Sequence, residues 1–140
     1  MLMLAIAAGM AIAVLGTAGA TAQTSDDAAG PFFLFFDWAK PDINRDAAAV
    51  LDQAASAYRH KPGARLRIAG YTDRSGSASY NQLASRRRAE AVRAELARRG
   101  IPASAMSVAA FGEGRPIVPT EDGVRELQNR RVEITLLAGG

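Results

Sequence analysis

Gly70-Tyr71-Thr72-Asp73-Arg74-Ser75-Gly76-Ser77-Ala78-Ser79-Tyr80-Asn81-Gln82-Leu83-Ala84-Ser85-Arg86-Arg87-Arg88-Ala89-Glu90-Ala91-Val92 joins a strand end, a Gly/Ser-rich loop and a long basic helix. Just upstream, Leu66 and Ile68 alternate with Arg65 and Arg67, the period of a strand with one buried and one wet face. Gly76 can take positive φ and turn the chain tightly. Downstream, Ser85, Ala89, Val92 and Leu96 recur at helical spacing and make a buried stripe. Ser85 and Ala89 are small enough for the helix to lie close on the sheet. Ser79 with Gln82 three residues on has the form of a capping box, and Gly100 followed by Pro102 is a stop signal. A helix is therefore predicted from about Ser79 to Arg99.

Working outward, Phe32-Phe33-Leu34-Phe35-Phe36 is too short for a helix and fits a central strand buried on both faces. Pro41 blocks an early helix in the loop that follows. Within that loop Trp38 is either a lid over the core edge or a ligand contact. Ile43 to His60 reads as a helix, with Asn44 as N-cap and Ala48, Leu51, Ala55 and Tyr58 facing the core. His60 sits in its last turn, where a cation suits the helix dipole. Met106 to Phe111 is a short strand, Asp122 to Gln128 holds a short helix, and Arg131 to Leu136 is the last strand. The order is β-α-β-α-β-α-β, an α/β (α+β) domain. The first and second strands, joined through a helix, suggest a right-handed parallel crossover, and the direction of the last strand is left open.

The chain has 140 residues, enough for one domain with a modest core, and a formal charge of +3. That charge is too small to imply nucleic acid, and no aromatic residues interleave with the basic helix. There is no cysteine and one histidine. This excludes disulfides, thiolate metal sites, a cysteine nucleophile and a lipid-accepting cysteine, and leaves no multi-histidine metal site. No cofactor or metal motif appears. Met1 to Ala22 is uncharged and apolar and ends Ala20-Thr21-Ala22, a pattern a signal peptidase would cut. It reads as a signal peptide, with a membrane anchor as the rival, since about 20 apolar residues span a bilayer. Residues 23–31 form a polar linker and 32–140 the exported domain.

The chemistry rests on Asp73 and the Arg86-Arg87-Arg88 run. Consecutive helical residues point about 100° apart, so only one arginine faces the loop over the strand end. Arg88 precedes Ala89 of the buried stripe and is the least exposed of the three. A guanidinium near a packed face needs a partner and grips a carboxylate at two points. A carboxylate such as Asp73 binds an ammonium. Together they suit a zwitterion; equally, the two could only bond each other. A third reading pairs Asp37 with Asp73, both at strand ends, as the carboxylates of a hydrolase.

Several motifs in one order then carry a resemblance. They are Leu34-x-Phe36-Asp37, Gly70-Tyr71-Thr72-Asp73-x-x-Gly76, Asn81-x-x-x-Ser85-x-x-Arg88-Ala89-x-x-Val92, Gly100-Ile101-Pro102, Gly112-Glu113-x-x-Pro116 and Asn129-Arg130-Arg131-Val132-Glu133. From about Phe32 to Leu137 the chain closely resembles the OmpA-like (OmpA/MotB C-terminal) peptidoglycan-binding domain. One departure is Ala84, where that family usually has leucine. The resemblance implies one mixed four-stranded sheet with helices packed on it. It also implies non-catalytic binding of peptidoglycan through the diaminopimelate of its peptide stem. It assigns the ligand's amino group to Asp73 and its carboxylate to Arg88. Asn81, Arg130, Thr72, Ser75 and the loop after Asp37 would line the groove. The expected place is the periplasm or the periplasmic face of the outer membrane, with membrane association possible through the N-terminal segment.

Overall fold

The computed structural model describes residues 30–139. The signal segment expected at Met1–Ala22, and the linker up to Ala29, lie outside them. The described chain runs β1 (Phe32–Phe35), α1 (Arg45–Arg59), β2 (Arg65–Gly70), α2 (Ala78–Arg98), β3 (Met106–Ala110) and β4 (Arg131–Leu137). Single 3-10 turns lie at Ala103–Ala105 and Leu127–Asn129. The four strands form one sheet in the order β1-β4-β2-β3. β4 runs antiparallel to both its neighbours, which resolves its direction, and β2 and β3 are parallel with α2 between them. The mixed four-stranded sheet is therefore as expected.

Alternation explains the layers. Leu66 and Ile68 of β2 and Val132, Ile134 and Leu136 of β4 point into one core with Leu51, Ala54 and Ala55 of α1 and Val92 and Leu96 of α2. Arg65 and Arg67 point the other way and are exposed. α1 starts where expected: Asn44 Oδ1 accepts from the Ala47 N–H at 2.8 Å, satisfying one of the free donors of the first turn. Its buried face is Ala47, Leu51, Ala54 and Ala55, with Ala48 and Tyr58 only half-buried. Gly100 ends α2 at φ +92°, the left-handed position that glycine fills without strain.

Three expectations need correction. β1 is an edge strand, not a central one, and its outer residues Phe33 and Phe35 are exposed. They stack on each other at 6.4 Å, so an aromatic outer face produced the continuous apolar run. The α2 cap is Ser77, whose Oγ accepts from the Tyr80 N–H, and not Ser79. Gly76 at φ +85° turns the chain one step earlier and leaves Ser77 extended ahead of the first helical residue. The helix expected within Asp122 to Gln128 is absent. Gly123 sits at φ +83° and Glu126 is extended, so only the turn Leu127–Asn129 forms.

One contact fixes α2 relative to the sheet. A Cβ on Gly70 would lie 2.0 Å from the carbonyl oxygen of Ser85. The end of β2 therefore touches the backbone of α2 directly, a close approach that only glycine permits. Ser85 itself is buried and accepts from the Gly112 N–H at 3.0 Å through its Oγ. The helix is held over the strand ends at the level of Arg88.

Candidate functional site

The residues beyond β2 carry a buried acid. Thr72 N–H donates to Gly112 O at 2.8 Å, and the chain then leaves the sheet at Asp73, which is 2% exposed. Asp73 Oδ1 accepts from the Ser75 N–H at 3.1 Å and the Ser75 hydroxyl at 2.5 Å. Its Oδ2 accepts from the Glu126 N–H at 3.2 Å and from Arg130 Nη1 at 2.8 Å. Burial pushes this carboxyl up, but the Ser75 and Arg130 side chains and the two backbone donors outweigh burial and hold it below its ordinary value. Asp73 is therefore an anion at neutral pH.

Arg130 follows the Leu127–Asn129 turn and is fixed at two points. Its Nε donates to Phe36 O at 3.0 Å while Nη1 reaches Asp73. The turn itself is pinned by Asn129, fully buried, whose Oδ1 accepts from the Ile117 and Val118 N–H groups and whose Nδ2 donates to Val118 O. The lost helix is thus a loop that delivers one side chain and one backbone donor to Asp73.

Arg88 comes from α2 and is 4% exposed. Its guanidinium lies 5.6 Å from the Phe36 ring centre, and its Nη1 is buried with no hydrogen-bond partner among the described residues. Burial and the nearby Arg130 charge lower its pKa, and Asp73 only partly offsets them. The two charges that the sequence offered as a mutual pair are not bonded to each other. Asp73 takes Arg130 instead, and Arg88 is left with an unused donor.

These groups open onto one cavity of about 170 Å³. Thr72, Asp73, Ser75, Asn81, Arg88 and Arg130 all line it, so six of the seven site residues expected from sequence are brought together. Among the described residues Asp73 is the only carboxylate in its wall, against two guanidiniums. Thr72 Oγ1 is a second buried atom without a partner among the described residues. Asn81 Nδ2 donates to Glu113 Oε2 at 2.9 Å. The seventh residue, Asp37, is exposed and borders a different groove, between β1 and the start of α1. Its neighbour Trp38 lines the cavity, donating from Nε1 to Ser75 Oγ at 3.1 Å.

Sequence reasoning passed over three participants. Glu126 contributes only a backbone N–H, which no side-chain pattern reveals. Arg125 stacks over Trp38 at 3.6 Å, and no spacing signals that. Glu113 orients Asn81 and was legible only as part of a motif. Among the described residues no group of His, Asp and Glu is arranged to hold a metal ion, and no helix is long and apolar enough to cross a membrane.

Comparison with known proteins identifies the family and the fold. A model of the OmpA family matches residues 35–130. An "Outer membrane protein" of Gluconacetobacter diazotrophicus is 41% identical over 111 residues, which cover 75% of this chain and 29% of that protein. The "Peptidoglycan-associated lipoprotein" of Rhizobium meliloti is 35% identical over 106 residues, 76% of this chain and 60% of the relative. The chain thus spans less than two thirds of either relative. The crystal structure of the peptidoglycan-associated lipoprotein from Burkholderia pseudomallei is similar at a TM-score of 0.70 and 28% identity, covering 83% of this chain and 97% of that one. The C-terminal domain of Helicobacter pylori MotB shares the fold at a TM-score of 0.66 and 23% identity, covering 76% and 83% of the two chains. The family match runs from the last residue of β1 to the arginine that clamps Asp73, and with the shared fold it makes this chain a member of the OmpA family.

Proposed function

We propose that this domain binds peptidoglycan without cleaving it, gripping the diaminopimelate of the peptide stem and tethering the cell envelope to the wall. The observation that carries the reading is Arg88: a buried guanidinium with an unused donor, in a cavity whose single acid is already satisfied. Burying such a group unpaired is unfavourable, and a ligand carboxylate would relieve it by a two-point bond. The far end of diaminopimelate carries an ammonium and a carboxylate on one carbon. Its carboxylate meets Arg88. Its ammonium meets Asp73, replacing the Ser75 hydroxyl, which stays in contact with Trp38. The names of the relatives support peptidoglycan as the polymer and the periplasmic face of the outer membrane as the place.

The hydrolase alternative has no support in the geometry, since Asp37 and Asp73 border different cavities. The relatives described above are named for what they associate with and not for a reaction. Cosedimentation with purified sacculi tests the proposal. The domain should pellet with them and be released by millimolar free meso-diaminopimelate. Pelleting no greater than that of a control protein would reject the binding reading. Release of soluble fragments, abolished by one substitution, would favour the enzyme.

A further inference from the structure

A second, smaller cavity of about 70 Å³ adjoins the first beside Arg88. The two share Ala39, Tyr80, Ala84 and Arg88 in their walls, and what distinguishes the smaller one is Lys40, Pro41 and Arg87. Among the described residues no acid lines it. Lys40 and Arg87 are exposed and form no salt bridge among the described residues. The backbone that sets this arrangement is unusual. Ala39 sits at φ +57°, a left-handed conformation that a non-glycine residue seldom adopts and that costs about 1 kcal/mol or more. The Lys40 N–H closes the turn on Asp37 O at 3.3 Å, and the Trp38–Ser75 hydrogen bond anchors the loop to the main cavity. Ala84 is common to both walls and offers only a methyl group there.

We infer that Lys40 and Arg87 form a subsite for a second carboxylate of the same peptide, one residue from the diaminopimelate. This subsite rests on the stem-peptide reading above and deepens it. A ligand whose terminal carboxylate lies on Arg88 passes Ala84 within reach of two unpaired cations. Where glutamate precedes diaminopimelate and is linked through its γ-carboxyl, its α-carboxylate is free and anionic. Amidation converts that group to a neutral amide of nearly the same size. The subsite therefore discriminates between the two forms by charge and not by shape. Both cations are exposed, so each interaction is modest, and the pair is expected to give roughly a threefold to tenfold preference.

The test is calorimetric titration with three probes: free meso-diaminopimelate, the tripeptide Ala-γ-Glu-diaminopimelate, and the same tripeptide amidated at the glutamate α-carboxyl. The unmodified domain should prefer the acid to the amide, more strongly at low salt than at high. Lys40→Ala combined with Arg87→Ala should erase the preference and leave binding of free diaminopimelate unchanged. Lys40→Glu with Arg87→Glu should turn it in favour of the amide. Equal affinity of the unmodified domain for acid and amide, with diaminopimelate still bound, would overturn the subsite and leave the main pocket standing. Failure to bind any of the three probes would overturn both.

Discussion

Replacing Arg88 with methionine should make the domain more stable and remove its affinity for the ligand. Methionine is unbranched like the arginine stem but two heavy atoms shorter, so it keeps an apolar stem and leaves the guanidinium's place to the cavity. The unpartnered Nη1 would be gone, and an unsatisfied buried polar group costs about 1 to 3 kcal/mol. Against this stands the loss of the cation over the Phe36 ring, worth about 0.5 to 1 kcal/mol, part of which a thioether recovers. Removing the charge also ends its repulsion of Arg130 and its attraction to Asp73. The balance is a gain of about 1 kcal/mol, or a rise in Tm of about 4 °C for a domain of this size. Binding should fall by tenfold or more, because a charged hydrogen bond contributes about 1.5 to 3 kcal/mol. Thermal unfolding and sacculus cosedimentation on one preparation give both numbers. A lower Tm together with unchanged binding would refute the reasoning and make Arg88 a structural residue.

Other substitutions separate scaffold from site. Gly70→Ala should cost about 3 kcal/mol in urea unfolding, since its methyl would meet the Ser85 carbonyl and push α2 off the strand ends; a loss under about 1 kcal/mol would show that the helix can move. Asn129→Ala should cost about 2 to 4 kcal/mol by freeing two backbone donors and one acceptor in a buried turn, a change read in the same experiment. Asp73 has a folded pKa below its ordinary value of 3.8, so its contribution is complete above that value and is lost as pH falls from there through the lower folded value. Unfolding curves between pH 2 and 6 should accordingly show an acid-side loss that Asp73→Asn lacks, and parallel curves would contradict the assignment.

The strand-loop-helix unit was legible because three signals agreed there: alternation in β2, helical spacing in α2 and glycines at both turns. The first strand was legible as a strand but not in its place. A continuous apolar run looks alike in a central strand and in an edge strand whose outer face is aromatic. The absent third helix reflects a tertiary demand: Glu126 gives its N–H to Asp73 and Asn129 ties the turn to Ile117 and Val118, so the segment serves the site instead of its own propensity. Arg88 was readable from its position beside the buried stripe. Arg130 was reached only through the family resemblance, because its salt bridge to Asp73 spans 57 positions and only the fold creates it. Asp37 entered through the resemblance, as the start of a loop walling the groove, and through its strand-end position in the hydrolase reading; the loop supplies Trp38 and Ala39 to the cavity, while Asp37 borders another groove.

The central claim is that Arg88 receives a carboxylate carried by the same carbon as an ammonium. Two tripeptides test it, identical except that one ends in diaminopimelate and the other in lysine, which keeps the ammonium and lacks that carboxylate. Titrated into the unmodified domain, the diaminopimelate peptide should bind at least tenfold tighter, from the loss of one charged hydrogen-bonding pair. Arg88→Ala should bring the two affinities together. Equal affinities in the unmodified domain would contradict the account.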